Sequence, residues 1–194
     1  MISIVIPVKN PVSLNDFIQE NLWAFKKYPL IVIDSGGGKL LKSFSQVYIE
    51  KDLKFWEARK LGYQYVKTKY ILNLDSDVII PKGYLKEAVK LLAKNIDAIS
   101  IFYEDVGHCQ GALEFGISIW KTNVLKKLYD FSMEKVQDGE IVKVGSMAYS
   151  SLNNGWCECT YMWRKLKFYH GRLETLPFRA KHLRDRRGER HAKS

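Results

Sequence analysis

Two aspartates one residue apart interrupt the apolar run "YILNLDSDVIIP" at positions 70–81. A charge in a buried strand is costly unless something pairs with it. In an extended chain, residues two apart point to the same side, so Asp75 and Asp77 are expected to face one way across Ser76. Carboxylates that close repel, and one would tend to keep its proton. A divalent cation removes the conflict. Mg²⁺ and Mn²⁺ favour carboxylate oxygen, and Mg²⁺ sites commonly use one or two protein carboxylates, with water and substrate phosphates completing the shell. The natural partner for such a pair is a metal-bound diphosphate; the plain alternative is a solvated turn at a strand end.

The elements that would position this pair are legible in the apolar pattern. Strands are expected at 2–6, 29–34, 46–49, 70–74 and 97–102. Helices are expected at 13–26, 54–66 and from Pro81 to about Asn95. Strands alternating with helices imply a mostly parallel sheet covered on both faces. Such sheets bind ligands at the carboxyl ends of their strands. Asn10, Asp34 and the Asp75–Asp77 pair all fall just past expected strand ends, which argues for one shared site. The second half is less regular. Residues 116–128 read as a strand turning into a helix, 130–155 as loops, 158–168 as a helix and 172–176 as a short strand.

Composition narrows the class. The chain has 194 residues, 46% hydrophobic and 27% charged, which suits one soluble domain with a real core. No apolar run reaches the roughly 18 residues of a membrane helix. The opening "MISIVIPVKN" reads as a buried strand rather than a signal peptide, and a cytoplasmic protein is expected. The net charge is +10, and residues 179–194 hold seven Arg or Lys against two acids, hence +5 of it. That tail is either a solubilising end or a peripheral hold on an anionic membrane or another polyanion. His108, Cys109, Cys157 and Cys159 could in principle hold zinc, but Cys-x-Cys is not a common zinc spacing; buried thiols, with or without one disulfide, fit better.

Several blocks together resemble the GT-A fold glycosyltransferases, specifically the inverting family 2. They are "ISIVIPVKN" (2–10), "LIVIDSGGG" (30–38), "FWEARKLGYQYVKTKYILNLDSD" (55–77), "WCECTYMWRKLKF" (156–168) and "RAKHL" (179–183). The chain is also similar in size and lysine content to compact transferases of archaea and their viruses. The resemblance implies a Rossmann-like GT-A sheet over 1–178, with a nucleotide-sugar half (1–105), an acceptor half (106–178) and a basic tail (179–194). It implies a UDP- or GDP-sugar donor, a divalent metal (Mn²⁺ or Mg²⁺), and a glycan, protein or lipid hydroxyl as acceptor. Pro7, Val8 and Asn10 would line the base pocket. Asp34 would accept a hydrogen bond from the base, with Arg59 beside it. Asp75 and Ser76 would sit near the ribose or a metal-bound water, Asp77 would hold the metal, and His182 would complete its shell or touch the diphosphate.

An inverting transfer needs a carboxylate to take the acceptor proton. The family's x-E-D motif reads Cys157-Glu158-Cys159 here, with a thiol where the usual Asp stands. Glu158 is the expected base; Asp105, Glu114, Asp138 and Glu140 are the other acids on position alone. Three rivals stand beside this reading. A nucleotidyltransferase would be expected to carry a Gly-rich basic loop after the first strand, where "PVKNPV" stands instead. A degenerate nucleotide-sugar or glycan binder is consistent with Cys159. A nucleic-acid binder, not favoured, rests only on the charge.

Overall fold

A computed structural model of the chain describes residues 1–104, 113–129 and 158–183, together with the strand backbones at 134–137 and 140–143. One mixed eight-stranded sheet forms the centre, and the strands are numbered here along the chain. β1 (Ile2–Val8), β2 (Leu30–Asp34), β3 (Val47–Glu50) and β4 (Tyr70–Asn73) lie side by side in the order β3-β2-β1-β4, all parallel. The sheet continues through β7 (Ile119–Lys121), β6 (Ala98–Tyr103), β10 (Leu173–His182) and β5 (Val78–Ile79). Only β7 and β5 run against the rest, so the sheet is mostly parallel as expected. β8 (Glu134–Gln137) and β9 (Glu140–Lys143) pair separately as a hairpin, in a stretch expected to be loop.

The sheet is covered on both faces, and this is why β1, β2 and β4 are buried at every position rather than alternating. Helix α1 (Leu14–Phe25) buries Phe17, Ile18, Ala24 and Phe25, and α3 (Tyr84–Leu92) buries Tyr84, Leu85, Ala88 and Leu92, in one cluster. Helix α2 (Phe55–Gln64), α4 (Thr122–Leu128) and α5 (Glu158–Phe168) pack in the other, around Trp120, Tyr129, Met162 and Leu166. Among the described residues no helix is long and apolar enough to cross a membrane.

Two expectations about boundaries change. The last strand runs to His182, past Phe178, because it pairs with β6 through a bulge between Thr175 and Arg179 and then with β5. Residues 179–182 therefore belong to the sheet rather than to a basic tail. Asp75 and Asp77 are not on an extended strand. The Val78 N–H donates to the Asp75 carbonyl at 3.1 Å, so the pair lies in a turn between β4 and β5.

Candidate functional site: two adjoining clefts at the strand ends

The first cleft, of ≈ 480 Å³, lies over the end of β2 and is lined by Asn10, Pro11, Leu14, Asp34, Gly37, Lys39, Leu40 and Glu50. Asp34 is buried, and its carboxylate is taken up locally. Oδ1 accepts from the N–H of Gly36 at 2.8 Å and of Gly38 at 3.0 Å, Oδ2 accepts again from Gly38 at 3.0 Å, and the Tyr48 hydroxyl donates to Oδ2. Burial and the neighbouring Asp34 hold the Tyr48 phenol protonated well above its ordinary range. Asp34 thus builds the Gly36–Gly38 turn. Gly37 has φ +91°, and a Cβ there would meet Pro11 Cδ at 2.9 Å, so this turn and the 9–11 loop need each other. The Asn10 N–H seals the contact on the Gly36 carbonyl at 2.9 Å. Pro7 and Val8 lie buried in β1, in register with Ile33 and Asp34. They support the cleft from beneath rather than line it, because β1 is interior to the sheet.

The second cleft, of ≈ 170 Å³, is lined by Lys9, Asn10, Pro11, Val12, Phe55, Asp75, Ser76 and Asp77. It shares Asn10 and Pro11 with the first, so the two adjoin across that loop. The Asp75–Asp77 turn is fixed from three sides. Asp75 N–H donates to the Gly116 carbonyl at 2.9 Å. Leu183 N–H donates to the Asp77 carbonyl at 2.7 Å. Buried Asn21 donates to Val78 O at 2.9 Å and accepts from Ile80 N–H at 2.8 Å, pinning the strand just after the turn. Gly116 leaves room for the carboxylate itself, since a Cβ there would stand 2.1 Å from Asp75 Oδ2.

Arg59 is not beside Asp34. Its buried guanidinium bridges Asp75 and Glu158, and lies 4.4 Å and 4.9 Å from the ring centres of Phe55 and Phe115. Burial works against its charge, but the Glu158 and Asp75 carboxylates outweigh it and hold the guanidinium firmly protonated. Glu57, two residues before Arg59 on α2, accepts from the Lys54 N–H at 2.9 Å and caps that helix.

Residues 3–153 match the family model described as glycosyl transferase family 2. The chain belongs to glycosyl transferase family 2. Its fold is the GT-A, Rossmann-like arrangement, and solved structures share it. The mannosyltransferase PcManGT from Pyrobaculum calidifontis, in complex with GDP-Man and Mn²⁺, superposes with TM-score 0.67 at 15% identity, covering 96% of this chain and 58% of that one. A structure of S. aureus TarS gives 0.57 at 14%, covering 93% and 60%. The bifunctional IspDF from Campylobacter jejuni gives 0.53 at 15%, covering 91% and 49%. The chain therefore spans about half to three fifths of these neighbours, and at such identities the likeness is one of fold. No curated protein matches the sequence.

In this family-2 chain the helix expected to carry the base begins at Glu158, the first residue of α5. One of its oxygens receives Arg59 and the other the Tyr129 hydroxyl. Burial raises its pKa above the ordinary glutamate value, against the pull of Arg59. Cys159 accepts the Phe115 N–H at 3.4 Å, and burial pushes its thiol up to about 12, so it stays protonated and cannot act as a base at neutral pH. Glu114 is buried next to Ser100, whose hydroxyl receives the Glu114 N–H at 2.9 Å. Glu140 lies in β9, while Asp105, Asp138, His108, Cys109 and Cys157 lie outside the described residues.

His182 is neither surface nor tail. It is buried in β10, paired in register with Val78, and its ring lies 3.8 Å from that of Tyr103. Burial, with the charges of Asp75 and others nearby, raises the Tyr103 phenol well above its ordinary value. His182 therefore comes up beside the Asp75–Asp77 turn, yet among the described residues no three His, Cys, Asp or Glu side chains are grouped to hold a metal together. The two carboxylates on one open cleft still suit Mg²⁺ or Mn²⁺, which take few protein ligands and fill the remainder from water and phosphate. Asn21, Gly116 and Tyr129 escaped sequence reasoning, because each acts across long sequence distances and none belongs to a motif.

Proposed function

We propose that this chain transfers a sugar, with inversion, from a nucleotide-diphosphate donor to an acceptor hydroxyl. The observation that carries the reading is the pair of adjoining clefts. One is built on the Asp34 turn and the other holds Asp75, Ser76 and Asp77, with Asn10 and Pro11 common to both. A nucleoside would occupy the first cleft, held by the edges of the Gly36–Gly38 turn and Asn10. Its diphosphate would reach the second, beside Lys9 and the two aspartates. A divalent cation held by Asp77, with Asp75 behind it, would neutralise charge on the leaving diphosphate. The neighbour solved with GDP-Man and Mn²⁺ supports that donor class and metal.

Glu158 would accept the acceptor proton. Arg59 holds its carboxylate in place, and Tyr129 fixes the second oxygen. A second reading rests on that same observation: with both oxygens of Glu158 engaged and a thiol at Cys159, the chain would bind a nucleotide sugar without turnover. A thermal-shift screen of nucleotide diphosphates and nucleotide sugars, with and without Mn²⁺ or Mg²⁺, tests the donor site, because a ligand of the folded form raises the melting temperature. A metal-dependent shift with one nucleotide family, lost in Asp77→Ala, is expected. No shift with any donor would remove the role given to Asp75 and Asp77. Release of the nucleotide with an acceptor present separates transfer from binding alone.

A further inference from the structure

Six strands of the sheet start on the same edge, opposite the clefts. The connections entering that edge gather cations from distant parts of the chain. Lys26 and Lys27 precede β2, Lys67 and Lys69 precede β4, Lys94 precedes β6 and Arg172 precedes β10, and all six are exposed. Backbone bonds tie these connections into the edge: Ile4 N–H to Pro29 O at 2.8 Å, Thr122 N–H to Lys69 O at 3.0 Å, and Asp97 N–H to Arg172 O at 2.9 Å. Asp97 is the single carboxylate in the four connections. It is already engaged by Lys121 at 3.1 Å and by the Arg172 N–H at 3.0 Å.

Large aromatic side chains stand out among these cations. Tyr65, at the end of α2, is 43% exposed; Phe168 and Tyr169, at the end of α5, are 76% and 49% exposed. The rings of Phe168 and Tyr169 meet edge to face at 5.3 Å, with the Lys127 ammonium 5.2 Å from the Tyr169 ring.

We propose that this edge docks on an anionic membrane surface. Lysines with long apolar stems and exposed rings suit a boundary where headgroup charge meets acyl chains. Five of the six cations are Lys rather than Arg, whereas Arg is the residue preferred for forked recognition of nucleic-acid phosphates. The surface differs from the basic tail, since Leu183 and whatever follows it leave from the cleft end of the sheet. Docking here places the clefts about 20 Å away, on the water side, since β1 spans seven residues at roughly 3.3 Å each. The proposal goes beyond the transfer reaction and does not depend on it.

The test is co-sedimentation of the full chain with vesicles of phosphatidylcholine alone, or of phosphatidylcholine and phosphatidylglycerol in equal parts. Binding to the anionic vesicles is expected, weakening as salt is added, with little binding to the neutral ones. The triple change Lys67→Glu, Lys69→Glu, Arg172→Glu is expected to weaken it at least tenfold with the tail intact. Phe168→Ser with Tyr169→Ser is expected to weaken it severalfold. All these positions are on the surface, so an unchanged melting temperature shows that the variants are folded. Undiminished binding by the charge-reversed variant would assign it to the tail and overturn the proposal. So would equal binding to both vesicles, or no binding to either. Capture of a single-stranded RNA oligonucleotide through the same lysines without vesicle binding, or self-association lost in the Phe168 and Tyr169 variant without it, would overturn it too.

Discussion

Asp34, the last residue of β2, and Asp75, just past β4, stand at the ends of the two strands that flank β1, yet they do different work. The Asp34 carboxylate is satisfied by neutral donors, two N–H groups within four residues and one phenol. The Asp75 carboxylate is satisfied by a cation from another helix, which also holds Glu158. The first arrangement is local and makes a rigid wall. The second is a buried chain of charges, carboxylate to guanidinium to carboxylate, in which each member depends on the others. The proposed function fits this difference: a nucleoside pocket would need shape, whereas a site handling a leaving diphosphate and a proton would need charge under control.

The sharpest way to break this contrast is Arg59→Ala. Removing one member of a buried ion group strands the others and costs about 3–5 kcal/mol. Denaturant unfolding should show that loss, whereas a loss under 1 kcal/mol would mean that water already shields Asp75 and Glu158. Glu158→Gln comes next. If Glu158 is the base, kcat should fall by about 10²–10⁴-fold with little change in donor binding. Because burial raises its pKa, the base form appears at higher pH than for an ordinary glutamate. Activity should therefore fall as pH drops through a limb above the usual glutamate range, and that limb should vanish in the variant. An unchanged limb would assign the proton to Glu114 or another acid.

Asp34→Ala removes the acceptor for the glycine turn, and a lost set of bonds to a charged group should cost about 2–3 kcal/mol. On the proposed reading it should also weaken binding of a free nucleoside monophosphate, whose base and ribose would sit in the first cleft. Gly116→Ala should cost about 1–3 kcal/mol through overpacking, because the new Cβ would push the Asp75 carboxylate off its place beside Arg59. Its signature is a weakened metal response with nucleoside monophosphate binding intact. Parallel losses of both would show that the two clefts are one rigid unit.

Much of the first hundred or so residues was legible in the chain. Period and punctuation located β1, β2, β3 and β6 to within a residue or two, because these strands are short apolar runs closed by Gly, Pro or Asp. The residues at their ends follow from that alone, since a parallel sheet carries its loops to one edge. The strand at β7 was legible, but its antiparallel direction and the length of β10 were not. β7 is three residues long, and β10 is held by partners at Ala98 to Tyr103 and at Val78 to Ile79 rather than by its own alternation. His182 read as tail for the same reason: its charge-rich surroundings say exposure, while its register beside Val78 says burial.

The sequence by itself determined the alternation of strand and helix, the aspartates at the strand ends and the replacement of the usual acid by Cys159. These are local properties of residue type and spacing. Only the tertiary structure decided that Arg59 joins Asp75 to Glu158, that Gly116 makes way for a carboxylate, and that Asn21 pins the strand after it. The bridge and the Asn21 contact each join groups 16 to 99 residues apart. A buried charge or amide accepts whichever partner packing delivers, and no local pattern encodes that choice.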